Sequence, residues 1–464
     1  MDTLVSATPK SALTLAQAAE ILLRRLDSSK QELIGASDQD RIFRIEIPVA
    51  PQDILDWLTG QDSEPLLFWS DREGAFQVGG VGAADSLSLF ALDYDLLFQY
   101  LCEHLSASPK NVRYYGGICF DPENIDQGWN DFGCIRFWLP RFELLQRGRQ
   151  SLFACNGMIP AQEGSESVIQ QIRDDLSTVN LTISVTNRRQ PHFLKRFDLP
   201  EQKLWLETVG KTLSLLERGS LEKVVLARKS HLQLSEALDP FSFLKEIREN
   251  TNHCFHFCFQ PQRFVSFLGA SPERLYRREG RLLHSEAIAG TRAVPGNPKE
   301  KERFKKELLA SGKDLREHRC VVDFLQGGLR NLCSTKKTQP ISVLELKEGM
   351  HLFSALEGTL KETTTDSDIL RALHPTPAVA GYPVEEANKI ILKSEPFRRG
   401  WYAGAVGWVG GDAVEFAVAI RSALIRKDQI SLYAGAGIVP GSNPQAEWEE
   451  VENKMNTFFK ILKR

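Results

Sequence analysis

Residues 114–139 read YYGGICFDPENIDQGWNDFGCIRFWL. Two apolar, aromatic-rich runs, Tyr114–Phe120 and Gly133–Leu139, stand on either side of a polar insert carrying Pro122 and Gly128. Turn residues between two strand-like runs predict antiparallel neighbours rather than a βαβ unit. The same pattern extends in both directions. Upstream, strands are expected near 41–49, 65–69 and 75–82, after a helix near 13–26. Downstream, RRQPHFLKRFDLPEQ at 188–202 is polar, holds two prolines and reads as a connector. Beyond it come a helix at 201–218, a strand at 221–228 and strands at 254–260, 264–268 and 281–289. Two consecutive helices fit 299–333, strands return at 403–409, 414–421 and 429–436, and a helix with an apolar face closes the chain from 444. Long antiparallel blocks with interspersed helices point to a layered α+β fold within the broad α/β class. The chain divides at the connector into an N-terminal part, 1–195, and a C-terminal part, 196–464, expected to form one compact domain overall.

Composition bounds the function. The chain has 464 residues, 42% of them hydrophobic, and a formal net charge of −3, which is ordinary for a globular protein. No apolar run approaches the roughly 20 residues that span a bilayer. The N-terminus has no basic start followed by an apolar core, so it reads as a tail leading into an amphipathic helix. The eight cysteines are scattered without a disulfide-like framework, which suggests a reducing cytoplasm. Near-neutral charge argues against nucleic acid as a partner. The basic pairs Arg188-Arg189 and Lys305-Lys306 read as solvated surface.

Two glycine stretches, Gly79–Gly82 and Gly435–Gly437, complete neither a dinucleotide nor a P-loop fingerprint. Cys254, His256 and Cys258 alternate on one strand face, but zinc would need a fourth ligand, and an inward-packed strand explains them better.

Four other places look like chemistry. In LEKVVLAR, Lys223 shares a face with Leu221, Val225 and Ala227. A lysine on an apolar face is costly unless it is paired or neutral. Burial moves such a group toward the range of a general base, although an edge lysine reaching water is the alternative. In Gly269–Glu273, a strand ends in a small-residue turn and a carboxylate follows. Partial burial would suit Glu273 to general-acid work; a surface turn is the alternative. Glu317 lies on the apolar side of its helix, with Val321, Phe324 and Leu325. Glu447, Glu450 and Lys454 line one face of the last helix. Carboxylates without a His/Cys cluster suit Mg²⁺ rather than zinc, and structural salt bridges compete with that reading. Finally, Ala434–Pro440 links a strand to the last helix with two glycines, and Arg421 offers a guanidinium fork. Both fit anion binding, and a tight glycine turn is the alternative. A lysine base, a carboxylic acid, a hard metal and anion holders together suit a small dianionic substrate with exchangeable hydroxyls.

These motifs carry a resemblance. LEKVVLAR, GASPE, AIAGTR, KDLREH, HLFSALEG, HPTPAVAG, AGAGIVPGS and EWEEVENK follow one another between about 205 and 460. In that order they resemble the chorismate-utilising enzymes, and within them the isochorismate synthase branch. FWSDREGAFQVGGVGAAD and YYGGICFDP are a weaker match in the N-terminal half. The resemblance implies one α/β fold of two large antiparallel sheets flanked by helices. It implies Lys223 as the base that activates water and Glu273 as the general acid. It implies Glu317 and Glu450 as Mg²⁺ ligands, with Glu447 acting through water. Arg421, Gly437 and Lys454 would hold substrate carboxylates, Gly290, Thr291 and His351 would line the pocket, and Ala378 and Val379 would shape the ring site. Ammonia-using relatives usually carry glutamine where Lys223 stands, so no amidotransferase partner is expected. The aminodeoxychorismate branch tends to carry lysine where Ala289 stands. Salicylate synthases share the lysine but differ at HPTPAVAG, and they rank second. The longer N-terminal region resembles menaquinone-pathway more than siderophore-pathway enzymes. A non-catalytic metabolite-binding protein of the same fold would not need the full acid–base–metal set. A monomer is expected.

Overall fold

The computed structural model describes residues 12–28, 39–122, 127–161, 165–183, 190–219, 221–292, 297–347 and 349–463. Among them, twenty strands join in one continuous ladder. The two opening runs form the antiparallel neighbours Arg113–Ile118 and Ile135–Arg147, in register from Tyr115 opposite Trp138 to Ile118 opposite Ile135. Ile135–Arg147 is long enough to take two partners on one edge, Arg113–Ile118 at its start and Gln150–Ile159 at its end. Its other edge follows Phe76–Leu89 along nearly its whole length. Here the ladder forks.

One arm runs through Phe76–Leu89, Leu66–Ser70, Phe255–Gln262, Val265–Ser271, Ser422–Arg426, Gln429–Ile438 and Lys223–Leu234. The other runs through Arg113–Ile118, Ala405–Gly410, Ala413–Val418, Arg274–Glu279, Leu282–Arg292 and Met350–Leu360. These arms are the expected pair of large antiparallel sheets, and helices flank them.

The chain passes directly from one arm to the other, with no helix between, at two places. Val265–Ser271 lies in the first arm and Arg274–Glu279 in the second, so the passage is Pro272-Glu273. Ala413–Val418 lies in the second and Ser422–Arg426 in the first, so the return is Ala419–Arg421. The passages are tied to each other: Val418 N donates to Glu273 O at 3.0 Å and Ala270 N to Arg421 O at 3.1 Å. Switching sheets breaks the regular ladder, which leaves these two side chains free to point somewhere other than a core face.

Between the arms the core is aromatic. Trp401 packs on Phe132, Phe259 and Phe267, with ring centres 5.1, 5.7 and 6.2 Å away. A Cβ on Gly117 would come within 2.5 Å of the Trp401 ring, so the second glycine of YYGG is set by this packing. Strands such as Val265–Ser271 and Ala405–Gly410 are buried at every position, which explains their continuous apolar runs.

Several expectations need correction. The connector at 188–202 contains the strand Phe193–Leu199, paired with the far half of Lys223–Leu234. Its charged, half-exposed pattern belongs to an edge strand and concealed it. The expected strand at 281–289 is preceded by a separate one, Arg274–Glu279, whose charged RLYRRE sequence drew no strand expectation. Its arginines are neutralised by Glu279, Asp366, Glu286 and Glu415. The scattered cysteines concealed a disulfide between Cys119 and Cys134, which the antiparallel pairing of the opening runs brings together. His256 is hydrogen-bonded to Thr251 at 2.8 Å rather than turned to a metal. Lys305 and Lys306 lie on the helix Pro298–Ala310, and Arg188-Arg189 lies outside the described residues. No helix among the described residues is long and apolar enough to cross a membrane.

Candidate active site

Lys223 opens the strand Lys223–Leu234, whose Val225 lies opposite Gly437 in register. Lys223 is fully buried, and its Nζ lies 3.0 Å from Glu317 Oε1. Among the described residues it has no hydrogen-bond partner besides that ion pair. Glu317 is delivered by the helix Gly312–Gly328, which Ser311 caps by accepting from Asp314 N. Gly437 is what lets the pair form: a Cβ there would lie 2.9 Å from Lys223 Cε and 3.1 Å from Glu317 Cδ. Its role visible in the geometry is therefore space for two side chains, in addition to any backbone contact with an anion.

Glu273 sits at the first passage between the arms and is 3% exposed. Burial pushes its carboxyl up to about 8, with Glu286 adding to the rise and Lys223, Lys454 and Arg421 opposing it. At neutral pH it is a protonated acid. Arg421, at the second passage, has φ +50° and places Nη2 3.1 Å from His351 Nε2. Burial, then the charges of Arg421 and Lys454, hold His351 down at about 3 against a hydrogen bond to the Gly290 backbone. His351 is thus neutral and accepts from Arg421.

The last helix, Pro444–Leu462, starts at Asn443, whose side chain accepts from Gln445 N and Ala446 N. This cap fixes the helix so that Glu450 and Lys454 face the site. Lys454 Nζ lies 2.8 Å from Glu450 Oε1 and donates to Gly435 O, also at 2.8 Å.

Glu273, Gly290, Glu317, His351, Ala378, Val379, Arg421, Gly437, Glu450 and Lys454 line one cavity. Lys223 stands directly behind it, at Glu317 and Gly437. Two expected residues fall differently. Thr291 lies opposite His351 in register, and its side chain is outside the described residues. Glu447 is buried beside the cavity and bound to Lys313 Nζ at 2.6 Å. Burial, then Glu450, raise the Glu447 carboxyl, with Lys313 opposing. Each expected metal carboxylate therefore faces a lysine: Glu317 with Lys223, Glu447 with Lys313, Glu450 with Lys454. No three acidic, histidine or cysteine side chains among the described residues are gathered as an ion site. Glu317 and Glu450 nevertheless bring only oxygen donors to one cavity, and two carboxylates completed by a substrate oxygen is how Mg²⁺ is commonly held.

Tyr402, Ile288, Ile420 and Val225 also line the cavity and escaped the sequence reading. Tyr402 stacks on Tyr433 with centres 5.1 Å apart. It follows Trp401 in a turn with no period to read, so nothing local marks it. Val225 was assigned only to the Lys223 face.

A buried acid, a buried lysine and a carboxylate pair around a cation-rimmed cavity, set where the chain changes sheets, define a class. Residues 28–463 match the family of chorismate binding enzymes, and the chain belongs to it. It is 32% identical to isochorismate synthase MenF of Escherichia coli over 448 residues, 95% of this chain and 97% of that one. It is 31% identical to the chloroplastic isochorismate synthase of Catharanthus roseus, covering 100% of this chain and 88% of the relative. The solved structure of MenF, the menaquinone-specific isochorismate synthase from E. coli, superposes with a TM-score of 0.85 at 30% identity, over 97% of this chain and all of that one.

Proposed function

We propose that the protein is an isochorismate synthase. Water attacks C2 of chorismate, the ring double bonds shift, and the C4 hydroxyl leaves as water. The observation that carries this reading is a pair of complementary groups at one cavity. Lys223 is a buried amine behind Gly437, and Glu273 is a buried carboxyl that keeps its proton to about pH 8. Lys223 takes the proton of the attacking water and Glu273 gives its own to the departing hydroxyl. Lys223 acts as base only once the Glu317 carboxylate has turned away and the amine has given up to solvent the proton it holds in that ion pair. Arg421 and Lys454 pair with the two substrate carboxylates, neutral His351 keeps the Arg421 fork in place, and Ala378 and Val379 bound the ring.

Mg²⁺ is the proposed cofactor, held by Glu317 and Glu450; when bound it would neutralise and orient the ring carboxylate. Glu447 would join only if Lys313 released it. Whole-chain likeness to the menaquinone-specific enzyme supports that pathway. The test incubates purified protein with chorismate, with Mg²⁺ or with excess chelator, and separates the products by chromatography. Isochorismate formed only with Mg²⁺ is expected. Salicylate with pyruvate would move the assignment to a salicylate synthase. Folded, Mg²⁺-supplied protein that forms no product would refute it.

A further inference from the structure

Behind Glu273 lies a charged assembly that the acid–base scheme does not use. Arg72, in the turn after strand Leu66–Ser70, binds Glu286 with both ends of its fork: Nη1 to Oε2 at 2.7 Å and Nη2 to Oε1 at 2.6 Å. The same Nη1 donates to Pro272 O at 3.2 Å. Arg274 shares one of these oxygens, with Nη1 2.8 Å from Glu286 Oε1 and Nη2 3.0 Å from Glu415 Oε1. The residues on either side of Glu273 are therefore both tethered to Glu286, one through Arg72 and one through the Arg274 side chain. Among the described residues Glu273 itself is held at its backbone, its N–H donating to Ser271 Oγ at 3.3 Å and its carbonyl accepting from Val418 N. Glu286 is 6% exposed, so its charge acts through protein rather than water.

We propose that the Arg72–Glu286 ion pair, whose arginine comes across the fold from the N-terminal half of the chain, is the positioning and charge-setting element for Glu273. This rests on Glu273 being the general acid. The leading charged groups facing Glu273 come from four elements: Lys223, Glu286, Lys454 and Arg421. Three are cations and would ionise it early. Glu286 is the one anion among them, and it opposes them. Arg72 acts through Glu286: it screens that charge and fixes the Pro272 carbonyl. Removing either partner breaks the same ion pair but leaves opposite charge behind. A solely structural pair would give two alike variants; a charge-setting pair gives opposite ones.

The experiment measures the pH dependence of kcat/KM for chorismate turnover in Glu286→Gln, Arg72→Gln and Arg72→Lys, with melting curves to verify folding. Loss of the Glu286 charge moves the alkaline limb to lower pH, and loss of the Arg72 charge moves it higher, each by about half a unit or more. Arg72→Lys keeps the charge but loses the planar fork, so its limb stays while kcat falls. Limbs that coincide with wild type, or that move in the same direction, overturn the proposal. If Glu286→Gln does not fold, Arg72→Gln against Arg72→Lys decides alone: a raised limb only in the first is expected, and two unmoved limbs refute. Glu273→Gln, run alongside, separates the failures. An active Glu273→Gln sinks the acid assignment and this proposal with it, whereas an inactive one with unmoved limbs sinks the proposal alone.

Discussion

Replacing Gly437 by alanine adds a carbon 2.9 Å from Lys223 Cε and 3.1 Å from Glu317 Cδ, and closer still to Glu317 Oε1. Comfortable heavy-atom contact begins near about 3.5 Å, so the Glu317 carboxylate must retreat by about 1 Å and Lys223 by roughly half that. Both are ends of flexible side chains, not backbone, so the strand Gln429–Ile438 has no reason to unfold. A misplacement of about 1 Å at a reacting group costs on the order of 10²-fold in rate. At 1.36 kcal/mol per tenfold, that is about 2.7 kcal/mol of transition-state stabilisation. Gly435→Ala is the control. Its nearest neighbours would be Leu226 O at 3.0 Å and Tyr402 Oη at 3.1 Å, and neither Lys223 nor Glu317 is among them. The assay is kcat/KM by product chromatography for both variants, with thermal melts beside it. Gly437→Ala is expected to lose about 10²-fold while melting near wild type, and Gly435→Ala to lose about tenfold or less. A folded Gly437→Ala with near-wild-type kcat/KM would show that the Lys223–Glu317 arrangement is irrelevant to turnover.

Glu273 must be protonated to act, and its carboxyl is raised to about 8, so kcat/KM of the wild type should fall above about pH 8; a flat profile to pH 9.5 refutes the acid role. The same shift has a stability sign. The folded chain holds this proton and the unfolded chain releases it near the ordinary carboxylate value, so the group costs stability progressively as pH rises from about 4.5 to about 8. Glu273→Gln should therefore raise the melting temperature relative to wild type at pH 9 and not at pH 4, while turnover falls about 10²–10⁴-fold; an equal change at both pH values contradicts it. Arg399 is 4% exposed, pairs with Glu395 and donates to Val379 O and Val225 O, both at 2.8 Å. Arg399→Met should cost about 3–5 kcal/mol in denaturant unfolding, because it leaves the buried Glu395 carboxylate uncompensated; a loss below about 1 kcal/mol would mean the pair contributes little.

The α/β class and the antiparallel arrangement were legible because turn residues punctuate apolar runs, as at Tyr114–Leu139. The edge strand Phe193–Leu199 was not, because its half-buried charges Arg196 and Asp198 meet their partners, Glu452 and Ser230, only in the fold and in sequence imitate a linker. Arg274–Glu279 was hidden for the opposite reason. Its arginines look solvated until the carboxylates that neutralise them, Glu286, Glu415 and Asp366, are brought in from 12, 141 and 88 residues away in sequence. Within the site, residues standing out against their local pattern were legible: Lys223 on an apolar face, Glu317 beside Val321, glycines where a strand should carry side chains. Tyr402 and Arg72 do not stand out locally. An aromatic in a turn and an arginine among Asp71 and Glu73 are ordinary until the fold supplies a cavity for one and Glu286 for the other.

The two passages between the sheets explain why the chemistry lies where it does. A regular strand alternates its side chains between faces, and both faces of these sheets are filled by core. In the proposed reaction, a carboxyl that must stay protonated and a guanidinium that must meet an anion fit neither face. At Pro272-Glu273 and Ala419–Arg421 the alternation is interrupted, and the two interruptions hydrogen-bond to each other. The acid and the anion fork are thus fixed relative to one another by backbone, independently of the helices that bring Glu317 and Glu450. That division has a consequence for mutation. Changes in the helix Pro444–Leu462 that spare Lys454, one of the charges facing Glu273, should disturb metal binding while leaving the alkaline limb of the pH profile in place. Changes around Arg72, far away in sequence, should move that limb and leave metal affinity alone.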